Sequence, residues 1–587
     1  MWAPDRITYH AFVSSLRAWS GPSADARQVD ELTRSLGVPE LLARVLIARG
    51  FSDPTHAARY LEPRLADMPD PFLLAGMESG AARLTQAIES RQSVALYGDY
   101  DVDGVTSTAL LQEFLMVHGV RARSYIPHRL EEGYGLHHDA VGRLADDGIE
   151  LLITLDCGIT AVDEVAYAND RGMDVIVVDH HRCPVTLPAA SATLNPHQPG
   201  CLYPDKVLAA VGVAFNLAAG VRKNLRARGY YQRTATPEPN LRRALDLVAL
   251  GTIADMVPLV GVNRLFAWFG LQEMRQVRRP GMRALFEVSE VRPARLSSQD
   301  VSFKLAPRVN AAGRLDDASV GVQLLTSGSF DEARLLATRL DAANQERRLI
   351  QAEVFTEAVA QAEQQSDHPA LVVHHECWHP GVVGIVASKL VETFGKTALV
   401  IGQDGRGSGR AHGGLHLFEA LSSCSDLLLK FGGHRAAAGF RLKPKEIQDF
   451  AARFRAQVAQ HRQLEGSGEP ELHVDFQVRA EEISLELVNA LSRLEPFGIG
   501  NPQPLCRMEA LPVKRTTVVG GHHLKLRLGE GPRPVSAIAF RHAALEPDLA
   551  PGTCVELAGH LEVNDFAGFE RVQFRVRDLK MPTKACG

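Results

Sequence analysis

The segment Val94–Gly104 (VALYGDYDVDG) begins as an apolar run of strand length and continues into a tight acidic loop. Two later apolar runs have a similar length and also end in aspartate, Leu151–Asp156 (LLITLD) and Val175–Asp179 (VIVVD). Helical stretches such as Ala161–Arg171 lie between these runs. This alternation is typical of βαβ units, and it predicts a parallel sheet that is buried on both faces.

Carboxylates are predicted to gather at one edge of this sheet, because ligands of open α/β sheets bind beyond the carboxyl ends of the strands. They are Asp99, Asp156 and Asp179 after the three strands, Asp101 and Asp103 in the first loop, and Asp255 after a predicted helix. Taken singly, an aspartate after a strand is often a helix N-cap, and the pair His180-His181 is more often a surface or packed pair than a metal site.

The acidic residues together favour a metal centre. Five or six carboxylates with no Lys or Arg in the same loops repel one another unless cations bind or the pKa values rise. Oxygen ligands with one or two imidazoles suit Mn²⁺ or Mg²⁺ better than zinc or copper. Two such ions bridged by a carboxylate form the usual device for phosphoryl hydrolysis. We therefore expect a phosphohydrolase with two metal ions.

Bulk properties are those of an ordinary multidomain protein. The chain has 587 residues and a formal net charge of −5, which is bland for a nucleic-acid-binding protein. The longest apolar run, around Val207–Val221, is too short for a bilayer and predicts a buried helix. Neither a signal peptide nor a CxxC pair is evident, and the eight scattered cysteines fit a reducing cytoplasm.

The predicted organisation has α/β fold class, with two α/β lobes joined by a long helix and followed by a β-barrel. Its segments are an N-terminal helical segment 1–75, a catalytic lobe 76–330, a connecting helix 331–366, a smaller lobe 367–465 and a barrel-like domain 466–587. For Asp331–Gln365 two shorter helices with a bend are the alternative to one helix. Ala370–Val373 and Ala398–Ile401 are predicted strands of the smaller lobe. The barrel prediction rests on the alternating segments HVDFQV, HLKLRL, VSAIAF, CVELAGHLEV and RVQFRV.

Several motifs resemble, in order and spacing, those of the DHH phosphoesterase superfamily and most closely its RecJ family of single-strand exonucleases. The four superfamily motifs are GDYDVDG, LDCG, Asp179-His180-His181 and GTIADMVPL. Further stretches are similar to the RecJ family: VSFKLAPRVNAAGR, WHPGVVGIVASKL, GSGR, FGGHRAAAG and LEPFGIGNPQP. The resemblance spans about residues 80–505. It identifies the two lobes with DHH and DHHA1 domains and the C-terminal region with an OB-fold domain.

The resemblance also implies roles for individual residues. Two Mn²⁺ or Mg²⁺ ions would be bound by Asp101, Asp103, Asp156, His180 and Asp255, with Asp156 as the bridge. Asp99 would be a further ligand or base. His181 would lie near the scissile phosphate, and Asp179 would support the cluster. Many relatives that cleave small molecules carry a histidine at the position of Tyr97. This departure leaves the ligand set of each metal open.

The second lobe carries the predicted phosphate site. Gly405–Arg410 (GRGSGR) can direct backbone N–H groups, a hydroxyl and guanidinium groups toward an anion, although a plain surface loop is the alternative. The resemblance assigns Ser408, Arg410 and Arg129 to a pocket for a 5′ phosphate. It assigns Arg308, Asn310 and Arg314 to the DNA backbone, and Gly432, Gly433 and His434 to a segment that closes over the strand.

The resemblance implies a single-stranded-DNA-specific 5′→3′ exonuclease that acts in recombination and repair. The expected partners are 5′-phosphorylated single-stranded DNA, a single-strand-binding protein and a helicase, with no membrane and a monomeric state. His522, His523, Lys525, Arg527 and Phe540 are possible DNA contacts of the OB-like domain, although alternating charge is usually the wet face of a strand. One rival function is a phosphodiesterase of very short oligonucleotides or cyclic dinucleotides. Another is a catalytically silent scaffold.

Overall fold

The structure is a computed structural model that describes residues 18–21, 25–129, 131–465, 471–531, 534–566 and 569–581. The chain divides into two compact units: residues 68–467 with 498–500, and residues 1–67 with 468–497 and 501–587. Parts of the predicted N-terminal segment (1–17 and 22–24) and the last six residues lie outside the described residues. Before residue 68 the elements are β1 (Trp19–Ser20), α1 (Ala26–Leu36), α2 (Glu40–Ala48) and α3 (Pro54–Leu61).

The larger unit begins with an α/β lobe built on a five-stranded, all-parallel sheet. Its strands are β2 (Val94–Gly98), β3 (Arg123–Tyr125), β4 (Leu151–Leu155), β5 (Asp174–Val178) and β6 (Ala192–Leu194), in the order β3-β2-β4-β5-β6. Every residue of β2 and β4 is buried, as continuous apolar runs predict for strands covered on both faces. The three predicted strands and their parallel arrangement are confirmed.

Helices surround this sheet and extend beyond it. They are α4 (Met77–Ser90), α5 (Val102–Val117), α6 (His138–Asp146), α7 (Val162–Asp170), α8 (Ala210–Ala227), α9 (Tyr230–Thr234), α10 (Leu245–Ala254), α11 (Gly261–Arg275), α12 (Pro280–Val288), α13 (Ser298–Asp300), α14 (Ala306–Leu315) and α15 (Ser319–Thr326). A π-helical turn, Val301–Leu305, precedes α14. The apolar run around Val207–Val221 forms the buried part of α8, as predicted. None of the described helices is long and apolar enough to cross a membrane.

One continuous helix, α16 (Phe330–Glu363), leads to the second lobe. Its 34 residues correspond to about 50 Å at ~1.5 Å per residue, so the alternative of two bent helices is wrong. Ser329 begins it by accepting a hydrogen bond from the Glu332 N–H.

The second lobe has a mixed five-stranded sheet in the order β10-β11-β9-β8-β7. Its elements are β7 (Leu371–His374), α17 (Pro380–Phe394), β8 (Ala398–Ile401), β9 (Arg406–Arg410), α18 (Leu417–Ser422), β10 (Leu428–Gly433), β11 (Ala437–Leu442) and α19 (Ile447–Glu465). The two strands predicted here, β7 and β8, are parallel and buried, whereas β9–β11 are antiparallel.

The smaller unit contains a closed barrel. Its C-terminal elements are β12 (Leu472–His473), β13 (Phe476–Val478), α20 (Leu485–Ser492), β14 (Cys506–Val519), β15 (His523–Leu528), β16 (Val535–Ala539), β17 (Cys554–Phe566) and β18 (Phe569–Lys580). Pairing of β14 with β17 closes five strands into a ring, and α1–α3 share the hydrophobic core of this unit. The barrel prediction is confirmed, but the sequence did not reveal β14. Its alternation is interrupted at two register shifts, and Pro512 lies between them.

Close packing of α10 against α11 generates a stability prediction. A β-carbon added at Gly270 of α11 would lie 2.2 Å from the Leu245 carbonyl oxygen of α10. This oxygen belongs to the backbone of α10, so it cannot move aside as a flexible side chain could. We expect Gly270→Ala to lower the stability of the larger unit by roughly 1–3 kcal/mol because the helices must separate. Thermal unfolding monitored by circular dichroism measures it. Gly328→Ala is the matched control because a β-carbon there meets nothing within 4 Å. Equal melting temperatures for the two variants would contradict the prediction.

Candidate metal centre and phosphate pocket

The three aspartates that follow β2, β4 and β5 are held by the sheet itself. The Asp99 N–H donates to Leu155 O, the Asp156 N–H to Val178 O and the Asp179 N–H to Leu194 O, each at 3.0 Å. Each aspartate thus extends the hydrogen-bond ladder by one step onto the next strand. All three side chains are at most 4% exposed, so the sheet brings three carboxylates to one buried edge.

Asp101 and Asp103 act as helix caps while they face the same edge. Asp101 begins α5 by accepting hydrogen bonds from the N–H groups of Asp103 (2.9 Å) and Gly104 (3.2 Å). Asp103 caps α8, which has no capping side chain of its own, by accepting from the Ala210 and Val211 N–H groups at 2.6 and 2.8 Å. The N-cap alternative therefore applies to these two residues without removing them from the cluster.

The His180 imidazole lies close to carboxylates from three separate segments. Its Nε2 lies 3.2 Å from Asp156 Oδ1, 3.6 Å from Asp255 Oδ2 and 4.0 Å from Asp103 Oδ2. Burial, together with the positive charge of His181, lowers the pKa of His180 to about 4. A neutral imidazole with its nitrogen directed at carboxylates is the form in which histidine binds a metal.

His181 is oriented by Asp179. Its Nδ1 lies 2.7 Å from Asp179 Oδ1, and that carboxylate also accepts from the N–H groups of Ile159, His180 and His181. Burial opposes the charge on the imidazole, but the hydrogen bond and the negative charge of Asp179 raise the pKa of His181. Both carboxylate oxygens of Asp179 thus accept hydrogen bonds from within the protein. The motif resemblance implies such a supporting role for this residue.

The donor set fits divalent cations. Three overlapping groups have ligand atoms within 4.8 Å of one another: Asp99, Asp101 and Asp156; Asp103, His180 and Asp255; and Asp156, His180 and His181. Within the described residues, Asp99 Oδ1 and Asp156 Oδ1 are buried without a hydrogen-bond partner. Such oxygens are costly unless a cation meets them. Burial and mutual repulsion raise the pKa values of Asp99, Asp156 and Asp255 well above normal, and that of Asp103 to about 7.

Asp156 adopts a strained backbone conformation at the centre of this cluster. Its φ of 63° lies in the left-handed region, which costs a non-glycine residue about 1–3 kcal/mol. Such strain persists only where the surroundings impose it, and here the ladder hydrogen bond holds the Asp156 N–H. It turns a carboxylate that belongs to two of the three groups into the cluster.

Two tyrosines of the site were not predicted to contribute to it. Tyr134, in the stretch EEGYGLH between β3 and α6, donates its hydroxyl to Asp156 O at 3.1 Å, and its oxygen lies 3.3 Å from His181 Nδ1. Tyr97 is buried, and its hydroxyl donates to Gly135 O at 2.9 Å. None of the sequence motifs gave a role to the segment around Tyr134. An aromatic residue between two glycines was the available signal.

Ser408 and Arg410, which were predicted to bind a phosphate, lie on β9. Side chains alternate along this strand, so Gly407 and Gly409 face the core while Ser408 and Arg410 share the open side. Arg410 Nη1 donates to Ser408 Oγ at 3.2 Å. Gly384 of α17 forms the wall of the pocket, since a β-carbon there would lie 3.0 Å from Ser408 Oγ and 3.4 Å from Arg410 Nη2. The sequence did not reveal Gly384, because nothing in a helical GVVG stretch indicates which glycine faces a pocket.

Arginines from both lobes converge on this pocket. Burial and the positive charge of Arg129 lower the pKa of Arg410. Burial and the charges of Arg129 and Arg347 lower that of Arg314 to about 9. Arg314 donates to Gly381 O at 3.0 Å, and Arg129 lies 4.7 Å from the centre of the Tyr100 ring. In the described part of the chain, Arg129, Arg314 and Arg410 form no ion pair with a carboxylate, so a bound anion would relieve their repulsion.

The other residues predicted to contact DNA lie in different environments. Arg308 is engaged inside the protein, donating to Asp341 Oδ1 (2.8 Å), Lys304 O (2.6 Å) and Val288 O (3.2 Å). Asn310 accepts from the Val102 N–H at 3.2 Å and so buttresses the acidic loop. His434 is exposed in the turn after β10, and partial burial with the charges of His181 and Arg182 lowers its pKa. Gly432 and Gly433 end β10 beside it.

In the barrel, the possible DNA contacts lie on or beside β15. His523 and Phe540 form an edge-to-face pair with ring centres 5.1 Å apart, and Phe540 is exposed. His522, Lys525 and Arg527 lie on the same hairpin region.

The raised carboxylate pKa values predict how metal binding depends on pH. Asp103 has a pKa of about 7 in the folded protein, so the stability contributed by its neutral form is lost as the pH rises through that value. We expect the metal-free protein to melt at a lower temperature at about pH 8 than at about pH 6. Mn²⁺ should raise the melting temperature more at the higher pH because the ligands are ionised there. Scanning fluorimetry with EDTA or MnCl₂ measures both effects. An equal Mn²⁺ effect at both pH values would contradict this.

Family models match three parts of the chain. They are described as the DHH family N-terminal domain (residues 93–252), the DHHA1 domain (367–460) and the RecJ OB domain (474–578). These matches coincide with the first lobe, the second lobe and the barrel.

Whole-chain comparisons agree with them. A single-stranded-DNA-specific exonuclease RecJ from Dickeya dadantii is 40% identical over 95% of this chain and 98% of its own length. The RecJ protein of Bacillus subtilis is 37% identical over 96% of this chain and 71% of its own length. Among solved structures, the Thermus thermophilus RecJ complex with Mn²⁺ has a TM-score of 0.83 at 30% identity, covering 97% of this chain and 80% of that one. With its DHH, DHHA1 and OB domains, the chain belongs to the RecJ family of metal-dependent nucleases.

Proposed function

We propose that this protein is a single-stranded-DNA-specific exonuclease that removes 5′-mononucleotides in the 5′→3′ direction with two Mn²⁺ or Mg²⁺ ions. One observation supports the proposal. A buried acidic cluster, in which two oxygens lack a hydrogen-bond partner among the described residues, lies in the same unit as three arginines that form no ion pair with a described carboxylate. Arg129 connects the two, because its charge acts on both Asp99 and Arg410. A phosphodiester reaches the cluster while a terminal phosphate occupies the pocket.

The proposed ligand sets follow the groups found at the sheet edge. Asp103, His180 and Asp255 would hold one ion, and Asp99 with Asp101 the other. Asp156 would be shared by the two ions, because it groups with Asp99 and Asp101 on one side and with His180 on the other. Asp179 holds His181 in place from behind.

Hydrolysis breaks the bond between phosphorus and the O3′ of the terminal nucleotide. Bound divalent ions supply an activated water and stabilise the charge on the phosphate oxygens. His181 donates its Nδ1 proton to Asp179, which leaves Nε2 directed away from that carboxylate. The raised pKa of His181 favours its charged form, so Nε2–H can hydrogen-bond to the scissile phosphate or protonate the departing O3′. The remaining strand then carries a new 5′ phosphate.

The arginine pocket explains the proposed polarity. Arg129, Ser408 and Arg410 would bind the terminal 5′ phosphate, and each cleavage regenerates the same group one nucleotide further along the strand. Arg314, Asn310 and His434 would guide the adjoining backbone. Arg308 was predicted for the same task, but its guanidinium is occupied by internal hydrogen bonds. The barrel would bind the single strand through the surface that carries Phe540.

The wider context is proposed on family membership alone. We infer a role in DNA recombination and repair, in the cytoplasm, as a monomer that works with a single-strand-binding protein and a helicase.

End-labelled single-stranded DNA tests the activity. A long strand with a 5′ phosphate should release its 5′ label at once as mononucleotide, while the 3′ label remains on shortening strands. EDTA or Asp156→Ala should abolish the reaction, and duplex DNA should resist it. Survival of the long strand with cleavage of dinucleotides would establish the small-substrate alternative. Tight Mn²⁺ binding with no turnover of either substrate would establish the scaffold alternative.

Substitutions in the pocket test the basis of polarity. We expect Arg410→Ala to reduce kcat/KM for 5′-phosphorylated strands by about 10- to 100-fold, because a charged hydrogen bond to the phosphate is lost. Activity on 5′-hydroxyl strands should change little. Gly384→Ala should act in the same direction by displacing Ser408. Arg453→Ala, which removes an exposed arginine of the same lobe, is the control. Equal losses on both substrates would refute a role in recognising the 5′ phosphate.

A further inference from the structure

Tyr134 contacts the proposed catalytic cluster through its hydroxyl and through its ring. The hydroxyl donates to the backbone oxygen of Asp156 at 3.1 Å and lies 3.3 Å from His181 Nδ1. The ring stands edge-to-face against the His181 imidazole, with ring centres 5.8 Å apart. Because 46% of the residue is exposed, the ring borders the open site while the hydroxyl reaches the two residues beneath it.

The partners of the Tyr134 hydroxyl and of His181 Nδ1 determine which atom donates each proton. The Asp179 carboxylate can only accept, so the Nδ1 proton of His181 is donated to it at 2.7 Å. The tyrosine has one proton, which it donates to the Asp156 carbonyl. Its oxygen is then a second acceptor for the Nδ1 proton. Tyr134 therefore links the strained backbone of Asp156 to the imidazole of His181, the residue proposed to meet the phosphate.

The segment that carries Tyr134 is anchored on both sides. On one side Glu132 accepts from the Tyr125 hydroxyl at 2.6 Å and from the His128 N–H at 3.0 Å. On the other side Tyr97 donates to Gly135 O at 2.9 Å. The rings of Tyr97 and Tyr125 stack with centres 5.1 Å apart, so both anchors rest on the sheet. Tyr134 is thus held by contacts that do not themselves reach the carboxylate cluster.

We propose that Tyr134 is a positioning residue whose hydroxyl fixes the Asp156 backbone and the His181 imidazole in the orientation that hydrolysis requires. The proposal rests on the proposed roles of Asp156 and His181. Tyr97 supports it indirectly by fixing Gly135. In this way the tyrosine at position 97 contributes to the centre through the segment 131–136 and not as a ligand.

Tyr134→Phe removes the hydroxyl and keeps the ring. With saturating Mn²⁺ and 5′-phosphorylated single-stranded DNA, we expect kcat to fall by about tenfold or more while KM stays within about twofold. The melting temperature should match that of the unaltered protein. Tyr97→Phe should lower kcat in the same direction but less. Tyr167→Phe is the matched control, because it removes a surface hydroxyl on α7 of the same lobe that contacts Arg171.

The outcomes separate this proposal from the proposed function. If Asp156→Ala and His181→Ala are inactive but Tyr134→Phe keeps more than half of kcat, the positioning role is wrong and the centre stands. If KM rises with kcat unchanged, Tyr134 binds the strand, which also overturns the role. If the melting temperature falls as well, or Mn²⁺ binding measured by electron paramagnetic resonance is lost, the hydroxyl is structural. If Asp156→Ala remains active, the proposed centre itself fails.

Discussion

Repulsion among buried carboxylates at the edge of a parallel sheet is the constraint on which the site depends. Burial and repulsion push the carboxyl pKa values upward, so these side chains ionise together only if positive charge offsets them. The protein supplies little of that charge at the cluster, since His180 is neutral near pH 7 and His181 is paired with Asp179. The fold holds the carboxylates in place through backbone contacts: ladder hydrogen bonds for three of them and helix N-termini for Asp101 and Asp103.

Positive charge is concentrated instead in the arginine pocket, to which both lobes contribute. Arg129 and Arg314 belong to the first lobe but act electrostatically on one another, and Arg129 also acts on Arg410 across from them. This separation suits a substrate whose successive phosphates must be treated differently. A terminal phosphate needs guanidinium groups that hold it without reacting, whereas the next phosphate needs cations that activate it. Under the proposed function, the arginine side chains would meet the first need and bound metal would meet the second.

The sequence predicted those parts of the site whose signals are local. Strands that end in Asp99, Asp156 and Asp179 are visible as apolar runs. GRGSGR is visible as a stretch that can meet an anion, but that it forms strand β9 was not predicted. Contacts between distant segments were not predictable in this way. Asp103 caps a helix that begins 107 residues later, and Tyr134 reaches a carbonyl on another loop. Arg308 shows the converse, because a motif arginine gives no sign that Asp341 already binds it. Strand β14 was missed because its register shifts break the alternation on which strand prediction depends.

The ladder that positions Asp99, Asp156 and Asp179 also bears on how such a chain can change in length. Side chains alternate between the two faces of a strand, so one inserted residue within β2, β4 or β5 would send the following aspartate to the opposite face and break its ladder bond. Outside the acidic loop and the segment 131–136, the connections between these strands can absorb extra residues in helices and turns without altering the register. The length of these strands is therefore as much a condition for the site as the aspartates themselves.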